Sequence, residues 1–181
     1  LNGKTVIVTG AGKGIGRATC LMLSGLGANV VAISRTASDL ESLKSETGCK
    51  THTFDIANSA ELRNVVRGVT SADGLVNCAG IAILEPFLEV TEEAFDLIYA
   101  INTKAAMVAA QEFSRTLIAA NRGGAIVNVS SMSSFVGFTD HTSYCASKGA
   151  MDAMSRVMAN ELGPYGIRVN CINPIVTMTE L

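Results

Sequence analysis

The stretch "VTGAGKGIGRA" (Val8–Ala18) places four glycines within seven residues, between a short apolar run and a segment of helical character. Glycine has no Cβ, so the backbone can turn sharply here and let a phosphate approach closely. A helix that starts directly after such a turn aims free N–H groups at the negative charge. The spacing is G-x-x-x-G-x-G through Gly10, Gly14 and Gly16; the more common G-x-G-x-x-G fails because Ile15 occupies its last position. The stretch predicts a dinucleotide-binding turn of a variant type, or else a turn that serves only strand–helix packing.

Outward from this stretch, short β-branched runs alternate with helical segments along the whole chain. The predicted strands begin at Thr5, Asn29, Thr51, Gly74, Ala125 and Ile167. The predicted helices cover residues 16–26, 37–46, 59–69, 92–120 and 143–162, and the fourth is long enough to contain a break. Crossovers of this length join parallel strands and place helices on both sheet faces. We therefore predict an α/β fold of one domain over residues 1–181: a Rossmann-type, doubly wound parallel sheet that binds its ligand at the carboxyl ends of the strands.

Composition excludes several other classes of protein. The 181 residues are 48% hydrophobic with a net charge of -2, and no cluster of Lys and Arg suggests nucleic-acid binding. No apolar run is long enough to cross a bilayer and no leader opens the sequence, so we expect a cytoplasmic protein without a membrane partner. The five cysteines are odd in number and lack a C-x-x-C pair, so we expect reduced thiols, no disulfide framework and no metal site.

The end of the second predicted strand indicates which dinucleotide binds. NAD sites commonly place an acidic residue about 20 residues beyond the glycine turn, but this chain has Ser34, Arg35 and Thr36 there. Arg35, together with Lys13 inside the glycine turn, favours a 2′-phosphate, which guanidinium groups hold through charge-assisted hydrogen bonds. We therefore expect NADP(H) in preference to NAD(H), unless both cations are ordinary solvated charges.

The second informative segment runs from Asn128 to Leu162. Tyr144 and Lys148 stand four residues apart in a predicted helix, so both side chains lie on one face. A nearby ammonium stabilises a phenolate, which makes Tyr144 a proton donor and acceptor near neutral pH. Tyr99 and Tyr165 have no such partner. The alternative is a surface cation packed on a tyrosine ring.

These motifs together resemble the short-chain dehydrogenases/reductases. The sequence contains, in the family's order, "TGAGKGIG" (9–16), "NCAG" (77–80), "IN" (101–102), "IVNVSS" (126–131), "YCASK" (144–148) and "NP" (173–174). The resemblance covers essentially the whole chain. The sequence around these motifs is most similar to that of the dicarbonyl/L-xylulose reductases and tetrameric carbonyl reductases, a branch of the family that uses NADPH.

The resemblance implies a role for each matching residue. Ser131 would hydrogen-bond the substrate carbonyl, Tyr144 would protonate its oxygen, and Lys148 would hold the nicotinamide ribose and activate the tyrosine. Asn102 would anchor a proton-relay water, and His141 would bind a polar group of the substrate. Besides the glycines of the turn and the Tyr144–Lys148 pair, the residues that would hold the cofactor are Lys13, Ile15, Ser34, Arg35, Thr36, Asp55, Ile56, Asn77, Ala79, Gly80, Pro174, Ile175, Val176 and Thr179.

Two departures from the family pattern accompany these expectations. Cys78 replaces a usual asparagine, and relatives are expected to continue for roughly 60 residues beyond Leu181, so we expect a longer natural protein with a further sheet strand.

The leading hypothesis is an NADPH-dependent reductase of small ketoses or α-dicarbonyls that assembles as a homotetramer or homodimer. The alternatives are an NAD-dependent polyol or secondary-alcohol dehydrogenase and a catalytically silent dinucleotide-binding module.

Overall fold

The computed structural model describes residues 1–177 and 179, and within them six strands form one sheet. The strands are β1 (Thr5–Thr9), β2 (Asn29–Ser34), β3 (Lys50–Thr53), β4 (Ala72–Asn77), β5 (Gly124–Val129) and β6 (Ile167–Ile172). Their order across the sheet is β3-β2-β1-β4-β5-β6, and each neighbouring pair is parallel. This is the doubly wound arrangement, and it confirms the fold predicted from the alternation of strands and helices.

In the part of the chain that the structure describes, six α-helices connect the strands. They are α1 (Gly14–Gly25), α2 (Ala37–Thr47), α3 (Ser59–Gly68), α4 (Glu92–Tyr99), α5 (Ala105–Ala119) and α6 (Thr142–Leu162). The long segment predicted over 92–120 does contain a break, a π-helical turn over Ala100–Lys104 that joins α4 to α5. Such turns insert an extra residue and are frequent at functional sites.

The two sheet faces are covered by different helices, as the alternation of buried side chains along β1 shows. Ile7 points into a cluster with Leu62 of α3 and Phe113 of α5. Val6 and Val8 point the other way, into a cluster with Leu40 and Leu43 of α2 and Cys20 of α1. Since β1 is buried along its whole length, its continuous β-branched run is what a strand covered on both faces requires.

The order of the strands reverses direction between β1 and β4. Thr9 at the end of β1 lies level with Asn77 at the end of β4, so the loops that follow these two strands meet at one rim of the sheet. The hydroxyl of Thr9 accepts hydrogen bonds from the backbone N–H groups of Cys78 and Ala79, at 3.1 and 3.2 Å. The crevice at this switch point is where doubly wound sheets bind ligands.

Candidate active site

The glycine turn packs too closely against its surroundings for larger residues. Gly10 has φ +68°, and a Cβ built on it would lie 2.7 Å from the backbone nitrogen of Ala79. A Cβ on Gly16 would run into the carbonyl oxygen of Gly10. Helix α1 begins at Gly14, and the side chain of Lys13 at its N-cap makes no capping hydrogen bond. The N-terminal N–H groups of α1 therefore lack a side-chain cap, as a phosphate-binding turn requires.

The residues expected to select the cofactor lie where β2 ends. Ser34 is the last residue of β2 and its hydroxyl lies beside Gly12, while Arg35 and Thr36 are exposed. Within the described part of the chain, neither Lys13 nor Arg35 makes an ion pair or side-chain hydrogen bond. Arg17, by contrast, binds Ser42 and Glu46 of α2. The guanidinium of Arg17 thus ties α1 to α2, whereas Arg35 and Lys13 face solvent.

The expected adenine and ribose contacts are distributed differently. Asp55 is exposed and its Oδ1 accepts from the N–H of Ala57 at 2.9 Å, while Ile56 is half-buried against the core. The side chain of Asn77 does not reach the rim: it is 2% exposed and donates to Oδ1 of Asn128 at 2.8 Å. A polar residue at the end of a strand is expected to face the ligand crevice. The alternation of side chains along β4 instead buries the Asn77 side chain beneath the sheet, against Asn128 of β5.

The loop after β4 leads to Asn102 and Lys148. A Cβ built on Gly80 would lie 3.3 Å from Oδ1 of Asn102 and 3.6 Å from Nζ of Lys148. Asn102 lies in the π-helical turn and is fully buried. Its amide donates to the carbonyl of Ile81 at 2.9 Å and to Oγ of Ser147 at 3.0 Å, while its Oδ1 accepts from the N–H of Ile81 at 2.8 Å. Asn102 therefore ties the β4 loop to α6.

Helix α6 carries the tyrosine–lysine pair. Nζ of Lys148 lies 5.7 Å from the ring centroid of Tyr144, one helical turn earlier. Lys148 is 4% exposed and Nζ donates to the carbonyl of Val129 at 2.8 Å. Burial lowers the pKa of Lys148 to about 8, against an opposing effect from Cys78. The spacing thus predicted the shared face, and the structure adds that the ammonium is held out of water.

Ser131 follows β5 at the same rim. Its Oγ lies 3.2 Å from Oγ of Ser133 and accepts from the Ser133 N–H at 3.1 Å, at the start of a short 3-10 turn over Met132–Ser134. Ser130 turns to the backbone carbonyl of Lys148 and Ser134 accepts from Asn173, so both are engaged elsewhere.

A histidine and a phenylalanine flank the tyrosine. The ring of His141 lies 6.3 Å from that of Tyr144 and 5.7 Å from that of Phe138. Nδ1 of His141 lies within hydrogen-bond distance of the carbonyl of Thr139. Backbone pairing between Glu85 and His141 joins this loop to the segment after β4. The structure thus places the His141 ring next to the ring of Tyr144.

The segment after β6 closes the site on the side of the glycine turn. The carbonyl of Pro174 accepts from the N–H of Met132 at 3.0 Å, so this segment lies against the Ser131 loop. Ile175 and Val176 are 71% and 89% exposed. Thr179 lies against Gly14.

Sequence reasoning named Asn173 only as part of the "NP" motif, without a role, and did not single out Asp152; the two meet at this junction. The amide of Asn173 donates to the carbonyl of Ser131, and also to Oδ2 of Asp152 on α6. Asp152 stands one turn beyond Lys148 on the same helix, which was the available signal, but its partner lies 21 residues away in the chain.

Other site types are not found in the described residues. No group of three or more His, Cys, Asp or Glu side chains there could hold a metal ion. Within residues 1–177 and 179, no helix combines the length and apolar character needed to cross a membrane.

Comparisons with known proteins agree with this fold. A family model described as short chain dehydrogenase matches residues 4–181. The chain is 48% identical to L-xylulose reductase of Mesocricetus auratus, over all of this chain and 75% of the relative. It is 41% identical to carbonyl reductase [NADPH] 2 of Sus scrofa, over 99% of this chain and 74% of the relative. A crystal structure of a putative NAD(P)-dependent gluconate 5-dehydrogenase from Beutenbergia cavernae with bound NADP superposes with a TM-score of 0.94 at 32% identity, covering 99% of this chain and 75% of that one.

Proposed function

This chain belongs to the short-chain dehydrogenase family, and from that premise we propose that it reduces the carbonyl group of a small ketose or α-dicarbonyl to an alcohol with NADPH. The observation that carries the proposal is the pairing of Tyr144 with a buried Lys148 ammonium, 5.7 Å from the tyrosine ring. A buried cation that serves only packing is costly. Here it lies beside Gly80 at the switch-point crevice, where a reacting group can use it.

The residues around the crevice fit a nicotinamide dinucleotide. The turn at Gly10 and Gly16 folds so tightly that any Cβ would meet backbone atoms, and the N-terminus of α1 has no side-chain cap. The pyrophosphate would bind there, and Lys13 and Arg35 would hold the 2′-phosphate. The exposed Asp55 and the half-buried Ile56 would contact the adenine, with Ser34 and Thr36 beside it. The NADP bound in the solved Beutenbergia structure supports this preference.

The chemistry follows from the donors that meet at the rim. A reduced nicotinamide, when bound, would supply a hydride to the carbonyl carbon. The Ser131 hydroxyl donates a hydrogen bond to the carbonyl oxygen, and Tyr144 transfers its proton to that oxygen as negative charge develops. Lys148 uses one N–H on the carbonyl of Val129, which leaves two N–H donors for the ribose hydroxyls.

The buried ammonium also stabilises the tyrosinate left behind by proton transfer. We propose that Tyr144 regains its proton through Lys148 and a water held at Asn102. Since the ammonium is the form that donates, the reduction rate should fall as the pH rises above about 8, the pKa to which burial lowers Lys148.

The residues beside Tyr144 support a small polar substrate. His141 and Phe138, which is 41% exposed, provide one polar and one apolar side chain next to Tyr144. This surface suits a short substrate that carries a hydroxyl or a second carbonyl beside the reacting carbonyl. The printed names of the relatives, L-xylulose reductase and carbonyl reductase [NADPH] 2, support a substrate of this kind.

We also propose that the protein assembles as a homodimer or homotetramer through α4, α5 and α6. Leu97 of α4, Met107 of α5 and Val157 of α6 are 44%, 36% and 53% exposed, and a groove lined in part by Leu97 and Met107 runs along α4 and α5. Apolar side chains of this number on adjoining helices favour burial against a second copy.

The proposal is tested by following NADPH oxidation with L-xylulose, diacetyl and a panel of small ketones, with NADH as the comparison. We expect turnover of at least one ketose or α-dicarbonyl, faster with NADPH. Preferential oxidation of polyols with NAD would favour the dehydrogenase alternative. Binding of NADPH without turnover of any carbonyl or polyol would refute the proposal and favour a binding module.

A further inference from the structure

The amide of Asn173 joins three segments that converge on the catalytic centre. Its Nδ2 donates to the carbonyl of Ser131 at 3.1 Å, to Oγ of Ser134 at 3.0 Å and to Oδ2 of Asp152 at 2.9 Å. A carbonyl and a carboxylate are acceptors only, so the amide must present its N–H groups to them. Two hydrogens are therefore shared among three acceptors, one of them charged. This makes Asn173 the link between the serine loop and α6.

Asp152 supplies the charge in this junction. It lies one turn beyond Lys148 and two turns beyond Tyr144, so all three residues share one face of α6. Burial acts to raise the pKa of Asp152, but hydrogen bonding, including the bond from Asn173, holds that pKa below its usual range. Asp152 is thus ionised at neutral pH, and its bond to Asn173 is charge-assisted.

Backbone bonds already tie the serine loop to the segment after β6. Ser130 N–H donates to the carbonyl of Ile172 at 2.8 Å, and Met132 N–H donates to that of Pro174 at 3.0 Å. These bonds fix the two segments to one another. The carboxylate of Asp152 extends the connection to α6, the helix that carries the proton donor.

We propose that Asp152 is a positioning residue: through Asn173 it fixes the Ser131 loop relative to Tyr144, and from one helical turn away its negative charge stabilises the Lys148 ammonium. This inference rests on the proposed function, because it assigns a role within the same reaction.

Three groups raise the pKa of Lys148 against the effect of burial: Cys78 on the β4 loop first, then Cys171 on β6 and Asp152. The Tyr144 ring also faces Lys148, 5.7 Å away. Burial raises the pKa of Cys78 to about 11 and also raises that of Cys171. Both thiols are therefore neutral at pH 8. Asp152 is the ionised group among those that raise the pKa of Lys148.

The substitution Asp152→Asn tests the proposal, since it keeps the shape and removes the charge. The new side-chain amide at position 152 also meets the Asn173 amide, which is a hydrogen-bond donor. We expect kcat to fall about 10- to 100-fold, because small misplacements of catalytic groups cost this much, while the dissociation constant for NADPH changes less than about threefold. The alkaline limb of the rate profile should move to lower pH. Asp152→Glu, which retains the charge, should keep the wild-type limb with a partial loss of kcat. Glu161→Gln, an exposed change at the end of α6, is the matched control.

A second readout needs no substrate. In protein carrying 13C-labelled lysine, the Lys148 resonance, assigned with Lys148→Met, should titrate at lower pH in Asp152→Asn than in the wild type. If the wild type reduces no carbonyl, the proposed function fails, and this titration alone decides the role of Asp152. If the wild type is active and Asp152→Asn leaves both kcat and the titration unchanged, Asp152 serves only stability and the inference is wrong. Should Asp152→Asn fail to fold, Asp152→Glu decides the question. A loss of kcat in Asp152→Glu, with the alkaline side of its pH–rate profile unchanged, supports the positioning role. An unchanged kcat in Asp152→Glu overturns that role.

Discussion

Replacing Lys148 with methionine should stabilise the fold while abolishing catalysis. Burial lowers the pKa of Lys148 from 10.5 to about 8. That gap corresponds to about 3 kcal/mol of cost for burying the ammonium. Below pH 8 the lysine is protonated in both folded and unfolded states, so the folded protein carries the full cost. Between about pH 8 and 10.5 the unfolded state binds more protons, so the wild type gains stability as the pH rises.

The methionine variant lacks this dependence, so its advantage over the wild type should be largest near pH 7 and shrink by about 2–3 kcal/mol toward pH 10. The lost hydrogen bond to Val129 subtracts about 1 kcal/mol at every pH. Urea unfolding of both proteins at matched concentration measures the difference, and other titrating groups cancel in it. Lys44→Met, an exposed change on α2, shows the effect of losing an ordinary lysine. A Lys148→Met variant whose relative stability is the same at both pH values would refute the claim that this ammonium is buried at a cost.

Two further predictions concern the cofactor site. Arg35→Asp should favour NADH over NADPH, because an acid suited to a ribose hydroxyl replaces the guanidinium at the end of β2. The control is Arg168→Asp, an exposed change near the start of β6, which should leave the ratio of the two dissociation constants unchanged. An unchanged ratio in Arg35→Asp would argue against phosphate recognition at this position. Gly10→Ala should lower the free energy of unfolding by about 3 kcal/mol and weaken NADPH binding, since a Cβ at φ +68° would lie 2.7 Å from the Ala79 nitrogen. Gly25→Ala, which meets nothing within 4 Å, is its control in denaturant unfolding, and equal effects of the two changes would contradict the packing described for the glycine turn.

The fold could be predicted because each layer leaves a local signal. A strand covered on both faces needs a continuous apolar run, and β1 has one in "TVIVT" (5–9). The break in the long segment 92–120 was also suggested by its length. Its form as a π-helical turn over Ala100–Lys104 depends on Asn102 reaching both Ile81 and Ser147, and those contacts exist only in the folded chain.

The candidate site could be predicted where the chemistry is local. Tyr144 and Lys148 share a helix face by spacing alone, and the glycine turn is continuous in sequence. The burial of Lys148, the turning of Asn77 under the sheet and the bond between Asp152 and Asn173 arise from packing between distant segments. No pattern within a single segment carries such information, so sequence reasoning could name the candidate residues but not the contacts that hold them.

The substitution Tyr144→Phe tests the central claim, that the tyrosine on α6 donates the proton in carbonyl reduction. The ring keeps its place beside Lys148, and only the hydroxyl is lost. We predict a dissociation constant for NADPH within about threefold of wild type and a fall in kcat of about 10²- to 10⁴-fold for the best carbonyl substrate. A Tyr144→Phe variant that binds NADPH normally and keeps more than about a tenth of the wild-type kcat would contradict the account, since another group would then have to supply the proton.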